Sequence, residues 1–224
     1  PKESIEINLQ GSNNVFKAAL ENKVKRLIFA SSASVYGDPK VLPMKEDGPL
    51  EPITPYCISK LASEQLLKFY ERQGLEYNIL RYFNVYGLGQ SADSYYTSVI
   101  ILFIKRILNG EPPIIQGSGE QSMDFVNVKD VVQANILAMN SKVKNEIFNV
   151  GSSTSTTIKE LAGILIKSLG VDIKPEFDNK PTIVKKRMAD ITKISKLLGY
   201  KVTVSAEEVL SDVARDIAKH PEDY

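Results

Sequence analysis

A tyrosine and a lysine four residues apart on one helix can exchange protons with a bound molecule, and the stretch TPYCISKLASEQLL (54–67) sets Tyr56 and Lys60 at that spacing. The spacing recurs in YGDPK, between Tyr36 and Lys40, so it decides nothing alone. Local composition separates the two pairs. Gly37, Asp38 and Pro39 make a turn that cannot carry a helix onward. Pro55 suits a helix start, and nothing from Tyr56 to Leu67 breaks one. Only Tyr56 and Lys60 are expected to share a face. A free tyrosine titrates near pKa 10, so acting near pH 7 asks for about three units, roughly 4 kcal/mol. An exposed ion pair supplies only about 0.2–1 kcal/mol. The pair therefore requires a partly desolvated site and a second positive charge nearby, of which an oxidised nicotinamide ring is one.

The elements around the pair point to a site. LIFASSASVYG reads as a short buried strand with Ser31, Ser32 and Ser34 just past its end. Ligands gather at the carboxyl ends of strands in open α/β sheets, where a serine hydroxyl can bond a sugar or carbonyl oxygen and relay a proton. The pattern elsewhere predicts helices over about 4–22, 55–73 and 95–109, and in KDVVQANILAMNS, TTIKELAGILIKSLG, ADITKISKLLGY and SAEEVLSDVARDIAKH. Strands are expected in LEYNILRYFNV, EIFNVGS and IKPEF, with two more around a turn in PPIIQGSGEQSMDFVNV. Strands alternating with helices imply an α/β fold with a mostly parallel sheet.

Composition narrows the function class. With 224 residues the chain suffices for one large domain or two small ones. A net charge of +1 gives no electrostatic reason for a nucleic-acid or membrane partner. The longest apolar run, TSVIILFI, is too short to cross a bilayer and meets Lys105 and Arg106 at once. One cysteine, Cys57, excludes an internal disulfide, and with one histidine, His220, no zinc site of usual spacing can be built, so no metal is expected. Cys57 reads as a packing residue and His220 as solvated. PKESIEINLQG lacks the features of a signal peptide, which makes a reducing cytoplasm the default location. Its opening in mid-helix suggests part of a longer protein.

SSASVYGDP, PYCISK and RYFNVYG in that order, with NLQGSNNV before them and MDFVNVKDVVQANILA after, resemble the extended short-chain dehydrogenase/reductase family. More narrowly they resemble nucleotide-sugar epimerases of the UDP-glucose 4-epimerase type. The resemblance implies a Rossmann-type doubly wound parallel sheet, N-terminally incomplete, with a smaller α/β substrate domain. It assigns residues 1–87 and 128–150 to the NAD-binding part and 88–127 and 151–224 to the substrate part. It implies Tyr56 as acid–base, Lys60 as the holder of the nicotinamide ribose that also lowers the tyrosine pKa, and Ser32 as catalytic serine. Asn8 and Phe83 would flank the NAD cofactor, and Asn84 would contact the substrate diphosphate. The implied reaction takes a hydride from sugar C4, lets the 4-keto intermediate turn, and returns the hydride to the other face, as between UDP-glucose and UDP-galactose. A homodimer, with the Tyr56 helix against its twofold mate, is implied as well. Dehydratase relatives carry an Asp–Glu pair at Ala33 and Ser34, and decarboxylases a glutamate at Ser34. The absence of those carboxyl groups favours an epimerase over both.

The pattern departs in two places. No glycine fingerprint opens the fold; GLGQSA and GSGEQS match it only outside the strand–turn–helix setting a dinucleotide needs, and read as loops. On this reading the chain as it stands is not expected to hold NAD productively. Met123 stands where many members have a phosphate-gripping arginine, which a thioether cannot replace. Lys180 and Arg187, in NKPTIVKKRMAD, are the basic residues that could compensate. The rival readings are another reaction of the family, such as a reductase or a different epimerase, and a binding protein or inactive fragment on the same fold.

Overall fold

The computed structural model describes residues 1–90, 98–180 and 185–221. A π-helical turn, Ser4–Gln10, runs into α1 (Gly11–Glu21), β1 (Leu27–Ser32), a 3-10 turn (Ala33–Tyr36), α2 (Pro55–Glu71), β2 (Tyr77–Tyr82) and β3 (Asn84–Tyr86). There follow α3 (Val99–Leu108), β4 (Ile114–Gln116), β5 (Ser122–Met123), β6 (Phe125–Asn127), α4 (Val128–Asn140) and β7 (Glu146–Val150). The last elements are β8 (Thr156–Thr157), α5 (Ile158–Leu169), β9 (Glu176–Asp178), α6 (Thr192–Leu198) and α7 (Ala206–Lys219).

β1, β2 and β7 form a parallel sheet in that order. β2 is paired on both edges, and its first five residues are buried, which accounts for its continuous apolar reading. Successive side chains of β2 serve opposite faces. Ile79 joins Phe16, Phe29, Leu67 and Tyr70 under α1 and α2, whereas Leu80 joins Val131, Ala134, Phe148 and Ile194 under α4 and α6. Helices thus cover both faces, as in a Rossmann-type α/β fold. β1 was expected to be buried throughout, yet Ala30 is exposed. Among the described residues β1 pairs only with β2, so it is an edge strand there.

The single strand expected across LEYNILRYFNV breaks at Phe83 because the chain changes partners. Tyr82 pairs with Val150 of β7, the Phe83 amide donates to the Val150 carbonyl at 3.0 Å, and Asn84 pairs with Phe125 of β6. The segment 112–128 holds three short strands rather than two, because β5 leaves the turn to pair antiparallel with β8. The helix expected over 4–22 opens as the π-helical turn, and the one expected over 95–109 is seen from Val99, residues 91–97 lying outside the described set.

A second core gathers α3, α5 and α7 around Tyr86, Ile115 and Phe125. α5 starts with a Thr157–Glu160 capping box and ends at Gly170 in the left-handed region. Residues 189–200 return to the sheet: Ala189, Ile194, Leu198 and Tyr200 pack with Phe148 and Val150. Among the described residues no helix is long and apolar enough to cross a membrane.

Candidate active site

The Thr54 side chain caps α2 by accepting from the Cys57 amide at 3.3 Å, and Pro55 fills the first turn, where its missing N–H costs nothing. The helix then lies across the carboxyl end of β1 and presents Tyr56, Lys60 and Glu64 at successive turns. The strand ends where Ser32 becomes the cap of the 3-10 turn, its hydroxyl oxygen accepting from the Ser34 amide at 3.2 Å.

Tyr56 and Ser32 meet at this corner. Burial pushes the Tyr56 hydroxyl above its ordinary pKa, the nearby Ser32 hydroxyl opposes the rise, and Cys57 adds to it. The residue remains 38% exposed, so a ligand can reach it. Lys60 Nζ sits 5.8 Å from the Tyr56 ring centroid and donates to the Ala30 carbonyl at 3.0 Å. Burial lowers the Lys60 pKa. The downward pull on Tyr56 resolved here comes from Ser32 rather than from Lys60.

The comparison pair behaves as its turn composition predicts. Tyr36 is buried, donates to Asn149 Oδ1 at 2.7 Å and accepts from Arg81 at 2.8 Å, while Lys40 stands exposed in the following loop. Burial pushes Tyr36 up to about 12. It is a structural tyrosine.

The other expected site residues are placed less uniformly. Asn8 lies half-buried in the π-helical turn, which packs on α2, and its carbonyl accepts from Ser63 Oγ at 3.4 Å. Phe83 is buried at the break between β2 and β3. Asn84 spends its side-chain amide on the Asp124 carbonyl at 2.9 Å. Lys180 is exposed, with Nζ 3.1 Å from Asp178. Arg187 instead turns inward, where Nη2 donates to the Gly37 carbonyl at 3.0 Å. Met123 packs against the α3–α5–α7 core. Gly87 is a packing glycine, since a Cβ there would meet Val128 Cγ1 at 2.5 Å.

A buried network behind the site went unread in the sequence. Glu64 accepts from Ser31 Oγ at 2.5 Å and from Arg81 Nε and Nη2 at 3.0 and 2.7 Å, and Arg81 continues to Tyr36 and the Glu46 carbonyl. Its signal was Arg81 in the middle of NILRYF, since a charge inside a strand buried on both faces must be paired. Asp124 is a second such residue, accepting from the Ser152, Ser153 and Ala189 amides at 2.7, 3.0 and 3.0 Å.

The chain is similar to known proteins in sequence and in fold. Residues 1–151 match the NAD dependent epimerase/dehydratase family. A UDP-N-acetylglucosamine 4-epimerase from Methanobrevibacter ruminantium, solved with UDP-N-acetylmuramic acid, is 37% identical with a TM-score of 0.91, over 96% of this chain and 70% of that one. The UDP-glucose 4-epimerase of Thermotoga maritima with UDP-glucose is 37% identical at a TM-score of 0.90, with the same coverage. The UDP-glucuronic acid 4-epimerase of Bacillus cereus, with UDP-glucuronic acid and NAD, is 30% identical at a TM-score of 0.85, over 94% and 68%.

Proposed function

The chain belongs to the NAD-dependent epimerase/dehydratase family, and from that premise we propose that it carries the catalytic and substrate-binding residues of a nucleotide-sugar 4-epimerase. The observation that carries this reading is the corner formed by Tyr56, Ser32 and Lys60: a partly exposed phenol near a serine hydroxyl, with an ammonium 5.8 Å from its ring, at the carboxyl end of a parallel strand.

Tyr56 takes the proton from the sugar 4-hydroxyl and later returns it. Ser32, near the phenol, holds the sugar oxygen in line and stabilises the deprotonated tyrosine. Lys60 offers its ammonium to the nicotinamide ribose. Asn8 and Phe83 border the cofactor, Asn84 meets the substrate diphosphate, and Lys180 and Arg187 supply positive charge for the substrate. When bound, NAD supplies the hydride acceptor and donor through which C4 passes as a ketone. The described residues fit the nicotinamide end of such a site, because Tyr56 and Lys60 lie together at the open edge of β1 where Ala30 is exposed. A positively charged ring there also answers the need for a second cation to bring the tyrosine down.

Two coarser features complete the reading. The outer face of α2 exposes Ile58 and Phe69, eleven residues and about three helical turns apart, an apolar stripe suited to the twofold mate of a homodimer. A cytoplasmic location follows from the lone cysteine and the cofactor. The deciding experiment first measures whether the protein retains NAD, which the missing glycine fingerprint puts to the test, and then follows UDP-glucose, UDP-N-acetylglucosamine and UDP-glucuronate by NMR with NAD bound. Inversion at C4 of one of them, lost in Tyr56→Phe, is the expected result. No inversion of any by NAD-loaded protein would end the reading.

A further inference from the structure

Asp124 is shut wholly inside the protein, and among the described residues no lysine or arginine forms an ion pair with it. Burial pushes its pKa up, and the Ala189, Ser152 and Ser153 donors oppose the rise. Oδ1 accepts from the Ser152 amide and hydroxyl, both at 2.7 Å, and Oδ2 from the Ser153 and Ala189 amides, both at 3.0 Å. An ionised carboxyl accepts at both oxygens and donates at neither, so four converging donors select it over an amide of the same size. Asparagine would turn an NH2 group toward one pair of donors. Gly151 makes the fit close, since a Cβ there would meet Ala189 Cβ at 2.5 Å and Asp124 Oδ2 at 2.9 Å. Burying a charge without a cation is costly, and the four bonds offset that cost only while their donors stay in place.

What those bonds hold is the segment that carries Arg187. Residues 185–190 form only two isolated bridges, Lys186 with Ser122 and Ala189 with Met44, and Arg187 lies between them. The Lys185 carbonyl and the Arg187 amide meet the Ser122 main chain, each at 2.9 Å. The Met188 carbonyl and the Asp190 amide meet the Met44 main chain, each at 2.8 Å. The Ala189 amide, between those two, goes to Asp124 instead. The main-chain carbonyl of Asp124 also accepts from Asn84, from its amide at 3.1 Å and from Nδ2 at 2.9 Å. One buried residue thus fixes two side chains that the proposed reading places at the charged part of the substrate: Asn84 directly, and Arg187 through the segment that bears it.

We propose that Asp124 is a positioning residue for the substrate: its carboxylate holds segment 185–190 against the loop that follows β7, and so sets Arg187 where it meets a nucleoside diphosphate. The proposal rests on the reading of Arg187 and Asn84 as substrate-binding residues. It gives Asp124 no part in the proton and hydride steps at C4, since its side-chain bonds all go to Ser152, Ser153 and Ala189.

The test titrates the protein calorimetrically with UDP, as wild type, Asp124→Asn, Arg187→Met and the double variant. Asp124→Asn is expected to weaken UDP binding by roughly tenfold or more, because one pair of donors is left facing an NH2 group. In the Arg187→Met background the same change is expected to cost no more than about twofold, since the guanidinium it positions is gone. A general structural defect would weaken UDP equally in both backgrounds, and that additivity overturns the proposal, as does an affinity unmoved by Asp124→Asn. Asp130→Asn is the control for stability. Asp130 is as deeply buried and accepts from the Thr203 amide and hydroxyl, away from segment 185–190. It is expected to lower the melting temperature and leave UDP affinity within about twofold; a fall like that of Asp124→Asn overturns the proposal. If Asp124→Asn does not fold, Ser152→Ala removes one of the four donors and enters the same comparison, with a severalfold loss expected and an unchanged affinity overturning the proposal. NMR turnover separates this role from the reading beneath it. Inversion of a UDP-sugar with UDP affinity indifferent to Asp124 removes the positioning role and leaves the epimerase. UDP affinity that depends on Asp124 through Arg187, without inversion of any sugar, does the reverse. A wild-type protein that binds no UDP also removes the positioning role.

Discussion

Lys60 Nζ donates to the Ala30 carbonyl at 3.0 Å, two residues before Ser32, and one turn further along α2 Glu64 accepts from Ser31 at 2.5 Å. Two successive turns of the helix are thus fastened to two successive residues of β1, with Tyr56 on the turn before them near Ser32. These bonds hold the helix that carries Tyr56 and Lys60 in a fixed place against the strand end, and fixed placement is the condition for a proton to move between two oxygens.

Tyr56→Phe is expected to remove turnover by roughly 10²–10⁴-fold, the usual contribution of a positioned acid–base group. Tyr56 is 38% exposed, so folding should hardly notice the loss of its hydroxyl. Parallel kinetics and thermal melts check this. A variant that loses activity only in proportion to lost folded protein would make Tyr56 structural.

Ser32→Ala tests the electrostatics. Tyr56 works as a base only when deprotonated, so the rate rises with pH until the phenol has titrated. Burial raises its pKa and Ser32 counteracts that. Removing the hydroxyl leaves the rise unopposed, so the ascending limb of the kcat profile should move to higher pH. Activity at pH 7 should fall by at least about tenfold, because two functions go together. An unmoved limb would mean that Ser32 does not tune the tyrosine.

Which parts were legible follows from how locally they are determined. Tyr56 and Lys60 share a face because of a single helix, and Pro55 with Thr54 starts that helix within the same few residues. Ser32 needed only the end of one strand. The two faces of β2 were readable as an apolar run, but the break at Phe83 depends on where β6 and β7 lie, more than 40 residues away. Arg187 is 150 residues from Gly37, and whether its side chain turns outward like Lys180 or inward is set by the tertiary fold. The Glu64–Arg81 pair left a trace, a charge inside an apolar strand, while its partner looked like any helical glutamate. Met123 was read by position alone; its environment is the α3–α5–α7 core.

Glu64→Gln probes that pair. Glu64 and Arg81 are both almost fully buried, with 2.7 Å between Oε2 and Nη2. Neutralising one partner strands the other charge, and breaking a buried pair typically costs about 3–5 kcal/mol. Urea denaturation should show a loss of that size. Arg81→Leu with Glu64→Leu should lose less than the sum of the single changes, because neither leaves a charge behind. Additive losses in the double variant would show that the ion pair is not what holds α2 to the sheet.

Gly37→Ala should be the most damaging of the left-handed glycines to replace. Its φ is +70°, and a Cβ there would stand 2.2 Å from the Glu51 carbonyl oxygen, whereas Gly170 at +67° has nothing within 4 Å of the same position. Gly170→Ala therefore carries the backbone strain alone, about 1–3 kcal/mol. Gly37→Ala adds a collision with main chain that no rotamer can relieve. The Gly37 carbonyl also holds Arg187, so the guanidinium must move with the turn. Urea midpoints of the two variants, measured side by side, should fall further for Gly37→Ala. Equal losses would show that the loop up to Glu51 yields easily, and that Gly37 is there for its φ alone.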